Sequence, residues 1–131
     1  MKSIPILLSA LALATASLTG QSFADHHGEA EMMTLEGVSR GDHRSEINIA
    51  RNEWRHPLET LEFFGLESDT TVIEILPSSG WYAEIIAPFV RDHGKYYAAH
   101  FSPNASAGYM PRILGVFEEK ITDRPDLYGR V

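Results

Sequence analysis

The chain of 131 residues contains no cysteine, which excludes disulfides, thiolate metal sites and cysteine nucleophiles together. Basic residues are scarce. Eleven Lys and Arg stand against 18 Asp and Glu, for a formal charge of -7. That balance argues against a non-specific nucleic-acid binder and against docking on anionic lipid, both of which need a basic face. Three glycine signatures are also missing. There is no Gly-x-x-x-x-Gly-Lys-Ser/Thr phosphate loop and no Gly-x-Ser-x-Gly nucleophile elbow. No Gly-x-Gly-x-x-Gly follows a predicted strand, which argues against a nicotinamide-dependent oxidoreductase. What is present is globular in balance, with 44% hydrophobic and 22% charged residues in a length that suits one domain.

The first 24 residues read as a secretory signal peptide rather than as part of the fold. Met1-Lys2 is a short positive start, and Ile4 to Leu18 is an apolar run broken only by small residues and Pro5. Ser22-Phe23-Ala24 fits the small-x-small cleavage rule. The apolar run is short for a bilayer span, so cleavage before Asp25 leaves no stable membrane anchor and implies a periplasmic or secreted protein. Loss of Lys2 with the leader takes the formal charge from -7 to -8. Residues 25–50 form a polar arm. Its His26-His27 pair with Glu29 and Glu31 lacks the helical spacing of a metal site, and a solvated N-terminus is the plainer reading. The stretch from Arg40 to Arg55 is dense in charge, with Ile47, Ile49 and Trp54 available to pin it to a core.

From residue 51 onward the pattern becomes regular. Pro57 suits a first helical position, Leu58, Leu61 and Phe64 or Leu66 make an apolar stripe, and Gly65 is a natural terminator. This predicts a helix over 57–64. A buried strand is expected over 70–76, and a helix from Gly80 to about Arg91 that Pro88 should kink or end early. A second buried strand runs from Lys95 to Phe101. A third helix spans Gly108 to about Ile121, with Tyr109, Ile113, Val116 and Phe117 at helical spacing. Tyr128 to Val131 looks like the approach to another strand. Helix, strand, helix, strand, helix implies parallel strands with right-handed crossovers, the first part of a doubly wound α/β sheet.

One residue in this pattern needs a reason. Glu74 is a carboxylate near the end of an apolar, β-branched strand, followed by the small-residue turn Pro77-Ser78-Ser79-Gly80 and then by Trp81-Tyr82. Either the carboxylate reaches solvent or a backbone N–H, or it serves a ligand in the crevice beyond the strand ends, where open α/β sheets bind their ligands. The second strand ends beside it at His100-Phe101-Ser102. Trp81 and Tyr82 are either pocket walls or core, and His56 and His100 are either acid/base groups or structural histidines.

Three blocks in order carry a resemblance. They are Arg55-His56-Pro57-Leu58-Glu59-Thr60-Leu61-Glu62-Phe63-Phe64-Gly65-Leu66, then Val72-Ile73-Glu74-Ile75-Leu76-Pro77-Ser78-Ser79-Gly80-Trp81-Tyr82, then Tyr97-Ala98-Ala99-His100-Phe101. In these blocks residues 51–131 resemble the class I S-adenosylmethionine-dependent methyltransferases, closest to a secreted or periplasmic bacterial subgroup. The resemblance implies a Rossmann-like doubly wound parallel sheet of which only the N-terminal part is present, hence a C-terminally truncated domain. It implies S-adenosylmethionine as the cofactor and methyl transfer to an unknown acceptor, or else a non-enzymatic exported remnant that binds a nucleoside or acts as an interaction module, with room for an oligomer. By this likeness Glu74, Pro77, Ser78, Ser79, Gly80, Trp81 and Tyr82 would meet the methionine end, and His100 and Ser102 the ribose. No catalytic base is implied. The class pattern places glycines two, four and six residues after the acid. Here those positions hold Leu76, Ser78 and Gly80, and serine is less free than glycine at positive φ.

Overall fold

A computed structural model describes residues 34–131; the expected leader and the His26-His27 pair lie outside the described residues. The elements in order are α1 (Leu35–Arg40), α2 (Glu46–Ala50), α3 (Asn52–Arg55), α4 (Pro57–Phe63), β1 (Thr71–Ile75), α5 (Ala83–Val90), β2 (Lys95–Ala99), α6 (Tyr109–Asp123) and α7 (Pro125–Tyr128). β1 and β2 pair in parallel, Thr71 opposite Lys95 and Glu74 opposite Ala98, joined across α5. The mixed α/β order agrees with the sequence reading.

α5 is the centre of the molecule. Ala83, Glu84, Ile85, Ile86, Ala87 and Val90 are all buried, so the helix is covered on nearly every side, as its apolar sequence requires. Val38 of α1, Leu61 of α4, Tyr96 of β2, Phe117 of α6 and Leu127 and Tyr128 of α7 close around it.

Pro88 neither ends this helix nor leaves a defect. Proline has no N–H to give to the carbonyl four residues earlier, which is that of Glu84. His43 Nε2 occupies that carbonyl instead, at 2.8 Å. A carbonyl only accepts, so Nε2 carries the proton, while Nδ1 is buried without a partner among the described residues.

Several sequence expectations need correction. The helix expected from Gly80 begins at Ala83, because residues 80–82 are taken up by a turn. α4 ends in a left-handed Gly65, with Leu66 N donating to Leu61 O at 3.0 Å and Gly65 N to Glu62 O at 2.9 Å. This closure buries Leu61 and Leu66 together and throws Phe64 outward, 75% exposed, so Phe64 is not part of the stripe. The arm is pinned by Val38, Ser39 and Arg44 rather than by Ile47 and Trp54, which are exposed. On α6 the buried positions are Leu114 and Phe117, while Tyr109 and Val116 face out. Tyr128 does not approach a strand; it ends the short helix α7 and is buried.

The largest correction concerns the strands. Both were expected to be buried, yet Thr71, Ile73, Ile75, Lys95, Tyr97 and Ala99 are all exposed. The helices cover only the face carrying Val72, Glu74, Tyr96 and Ala98. β1 also keeps an open edge. Lys95 N bonds Thr70 O at 3.1 Å and Leu76 N bonds Ala99 O at 2.9 Å, so the backbone of the alternate residues Thr71, Ile73 and Ile75 points away from β2. Among the described residues no strand pairs there. A groove of about 580 Å³ runs along β1, lined by the strand and by Thr60, Leu61, Phe64, Tyr82 and Ile86. No described helix is long and apolar enough to cross a membrane.

Candidate functional site

Among the described residues, the turn between β1 and α5 holds the most unusual backbone. Leu76 has φ 56°, Ser78 φ 56° and Gly80 φ 83°, three left-handed residues at alternate positions. They stand two, four and six residues after Glu74. Left-handed geometry costs a non-glycine residue about 1–2 kcal/mol, and a leucine there is a genuine outlier. The surroundings impose the shape. Leu76 N is held by Ala99 O, Gly80 N donates to Pro77 O at 2.8 Å, and His100 donates from Nε2 to Ser78 O at 2.8 Å. The His100 tautomer follows from its other nitrogen, because Nδ1 accepts from Phe101 N at 2.7 Å. Gly80 is glycine for a second reason: a Cβ there would meet the Phe117 ring at 3.1 Å.

Glu74 lies on the covered face, and Tyr96 donates its hydroxyl to Glu74 Oε2 at 2.6 Å. Desolvation pushes the Glu74 carboxyl above its ordinary range, opposed in part by the Tyr96 hydrogen bond and by His100. Burial and the carboxylate together push the Tyr96 phenol strongly upward. No cation pairs with Glu74, and Oε1 accepts no hydrogen bond among the described residues. The first-turn amides of Glu84, Ile85 and Ile86 are taken up within the chain, bonding the carbonyls of Gly80 and Tyr82. The amides of Trp81, Tyr82 and Ala83 donate none among the described residues.

The structure therefore brings Glu74, Pro77, Ser78, Gly80 and His100 together, with Pro77 buried and Ser79 exposed on the turn. It separates the rest. Trp81 is buried and donates Nε1 to Asn48 O at 3.0 Å, so it belongs to the core. Tyr82 faces the groove along β1. Ser102 is exposed and accepts from Asn104 N at 3.2 Å within its own loop. His56 is exposed beside Glu59, on a separate cavity with Ser39 and Pro57.

Sequence reasoning missed the polar cluster on the other side of the turn. Glu84 is 4% exposed and is bridged by Arg44 Nε at 3.2 Å, by Asn48 Nδ2 at 2.9 and 3.0 Å and by Lys120 Nζ. Arg44 also bonds Ser39 O and, at 3.1 Å, Asn52 Oδ1. Desolvation lowers the Arg44 pKa, which the contact with Glu84 offsets in part. The signal was a single carboxylate inside the apolar run Ala83–Val90. Its partners come from an arm and a helix far away in sequence, which no local pattern reveals.

Comparison with known protein families, with curated proteins and with solved structures gave no match.

Proposed function

We propose that the chain forms the first part of a Rossmann-like sheet of methyltransferase type, and that the ends of β1 and β2 bind S-adenosylmethionine. One observation carries this reading: Leu76, Ser78 and Gly80 are all left-handed at the three positions where the class pattern has glycine. A conformation that only glycine adopts freely is kept by residues that resist it, in the place where a ligand would approach the backbone. The donor set fits the methionine end. Glu74 offers a desolvated carboxylate with an open oxygen to an ammonium, and the undonated amide of the part-exposed Tyr82 offers a hydrogen bond to a carboxylate. The cofactor itself supplies an electrophilic methyl group on a sulfonium. The chain's own share is positioning: Tyr96 fixes the Glu74 carboxylate and His100 fixes the turn. The reading includes export by the leader.

A second reading, a non-enzymatic nucleoside-binding remnant, is favoured by the bare outer face of the sheet and by Leu76, whose half-exposed side chain stands at the turn. Both readings share the cofactor site. Calorimetric titration with S-adenosylhomocysteine should give saturable heat, weakened at least about tenfold, or about 1.4 kcal/mol, by Glu74→Ala. No heat from demonstrably folded protein removes both readings. Binding without methyl transfer to any acceptor leaves the second.

A further inference from the structure

Three guanidinium groups converge on one indole. The Cζ atoms of Arg44, Arg51 and Arg55 lie 5.2, 5.6 and 4.7 Å from the Trp81 ring centroid. Only Arg44 has a carboxylate partner, and it shares that partner, Glu84, with Lys120. Arg51 and Arg55 form no ion pair among the described residues. The Arg44 side chain is fully buried, yet its Nη2 has no acceptor among the described residues. In a chain of formal charge -7, this local excess of positive charge is the exception. Like charges gathered around one ring repel one another, and a buried donor without an acceptor calls for an explanation.

The arrangement has a direction. Arg51 and Arg55 are one helical turn apart, so they present one face, and the indole they cover directly follows Gly80. We infer that Arg51 and Arg55, backed by Trp81, form an oxyanion subsite over the residue that directly follows the Leu76–Gly80 turn, and that it takes a carboxylate or phosphate of a small ligand. Planar guanidinium forks match both groups, and a flat aromatic behind them holds the forks in place. The inference deepens the proposed site and rests on that reading for its ligand. The oxyanion is either the carboxylate of the cofactor's methionine end or an anionic group on the methyl acceptor. The competing reading is that the two arginines only cap a buried tryptophan.

Trp54 is 76% exposed and is the second of two tryptophans, so Trp54→Phe leaves Trp81 as the sole indole reporter. In that background the whole chain is titrated with inorganic phosphate, with S-adenosylhomocysteine and with 5′-methylthioadenosine, a nucleoside thioether that lacks the carboxylate. The inference expects a saturable change in Trp81 emission with phosphate, lost in Arg51→Gln/Arg55→Gln. If the carboxylate is the cofactor's, S-adenosylhomocysteine binds at least about tenfold tighter than 5′-methylthioadenosine, and the double variant removes that gap. An equal affinity for the two nucleosides beside saturable phosphate binding assigns the subsite to the acceptor. Phosphate binding without any nucleoside binding keeps the subsite and removes the cofactor reading. No phosphate response, with nucleoside binding unchanged in the double variant, overturns the subsite and leaves the cofactor reading standing. If the glutamine variant fails to fold, Arg51→Lys/Arg55→Lys keeps the charge and loses the fork. Undiminished phosphate affinity in that variant leaves the two cations as the binding groups, and undiminished affinity in both single variants, Arg51→Gln and Arg55→Gln, overturns the inference.

Discussion

Glu74 and Glu84 flank the same turn, and the fold treats them in opposite ways. Glu84 sits where the covering is complete. Two cations and an amide fill its oxygens, and the groups that do so come from the arm, α2 and α6. Glu74 sits on a two-stranded sheet that is covered on one face only. It has one hydroxyl donor, no cation, and a carboxyl pushed upward by desolvation. A buried carboxylate without a cation is costly to keep charged, whereas one ringed by partners is costly to disturb. In the proposed function the first takes a cationic ligand; the second is a structural tie. The contrast also separates the two sides of the molecule, a polar junction in which both Glu84 oxygens are occupied and an open apolar edge along β1.

The sharpest way to break this contrast is to neutralise each carboxylate without changing its shape. Glu84→Gln leaves Arg44 buried beside an uncharged amide and should destabilise the fold by about 3–5 kcal/mol, read by urea denaturation. A loss below 1 kcal/mol would mean that Glu84 is not the tie described. Tyr96→Phe comes next, at about 1.5–3 kcal/mol near neutral pH, since among the described residues it removes the only hydrogen bond to the Glu74 carboxylate. Its pH dependence follows from the upward shift. Because the folded protein holds the Glu74 proton more tightly than the unfolded chain, stability is highest below the ordinary carboxylate range and falls as pH rises through the window up to the raised folded value. Loss of the Tyr96 bond, which lowers that value, extends the window upward. The Tyr96→Phe penalty should therefore be larger at about pH 8 than at about pH 4. A penalty independent of pH would detach Tyr96 from the Glu74 charge.

Smaller effects refine the picture of the turn. Ser78→Gly relieves a left-handed serine at some cost in unfolded-chain entropy, for a net gain of about 0.5 kcal/mol in thermal or urea unfolding. A loss of stability would show that the hydroxyl or the strain is needed by the fold itself. Glu74→Gln should be the smallest, within about 0.5 kcal/mol and stabilising above the raised pKa, because no cation is left unpaired. Opposite signs for the same substitution at residues 74 and 84 are the signature of the comparison.

Much of the frame was legible in the sequence. Pro57, Gly65 and the β-branched run at 71–75 mark their elements by local chemistry, and the helix–strand alternation sets parallel pairing. The position of the turn was legible too, because Glu74 and the small residues after it break an apolar pattern. What was hidden depends on distance or on coverage. Nothing local says that His43 would serve the carbonyl that Pro88 leaves free, or that Arg44 and Lys120 would meet on Glu84. The apolar alternation of Ile73, Ile75 and Tyr97 reads as burial, since a sequence records which residues suit a covered face and not whether anything covers it. The left-handed geometry of Leu76 and Ser78 runs against their own preferences, so only the class pattern pointed to it.

The central claim is that the turn at the strand ends is a binding site for a nucleoside cofactor. It is tested most directly by following backbone amide resonances while S-adenosylhomocysteine is added to the isotope-labelled protein. The account predicts saturable shifts concentrated in residues 74–83 and 100–102, with the amides around Glu84's partners on α2 and α6 little changed. Saturation of the ligand with no shift in the turn, or shifts confined to other parts of the molecule, would contradict it.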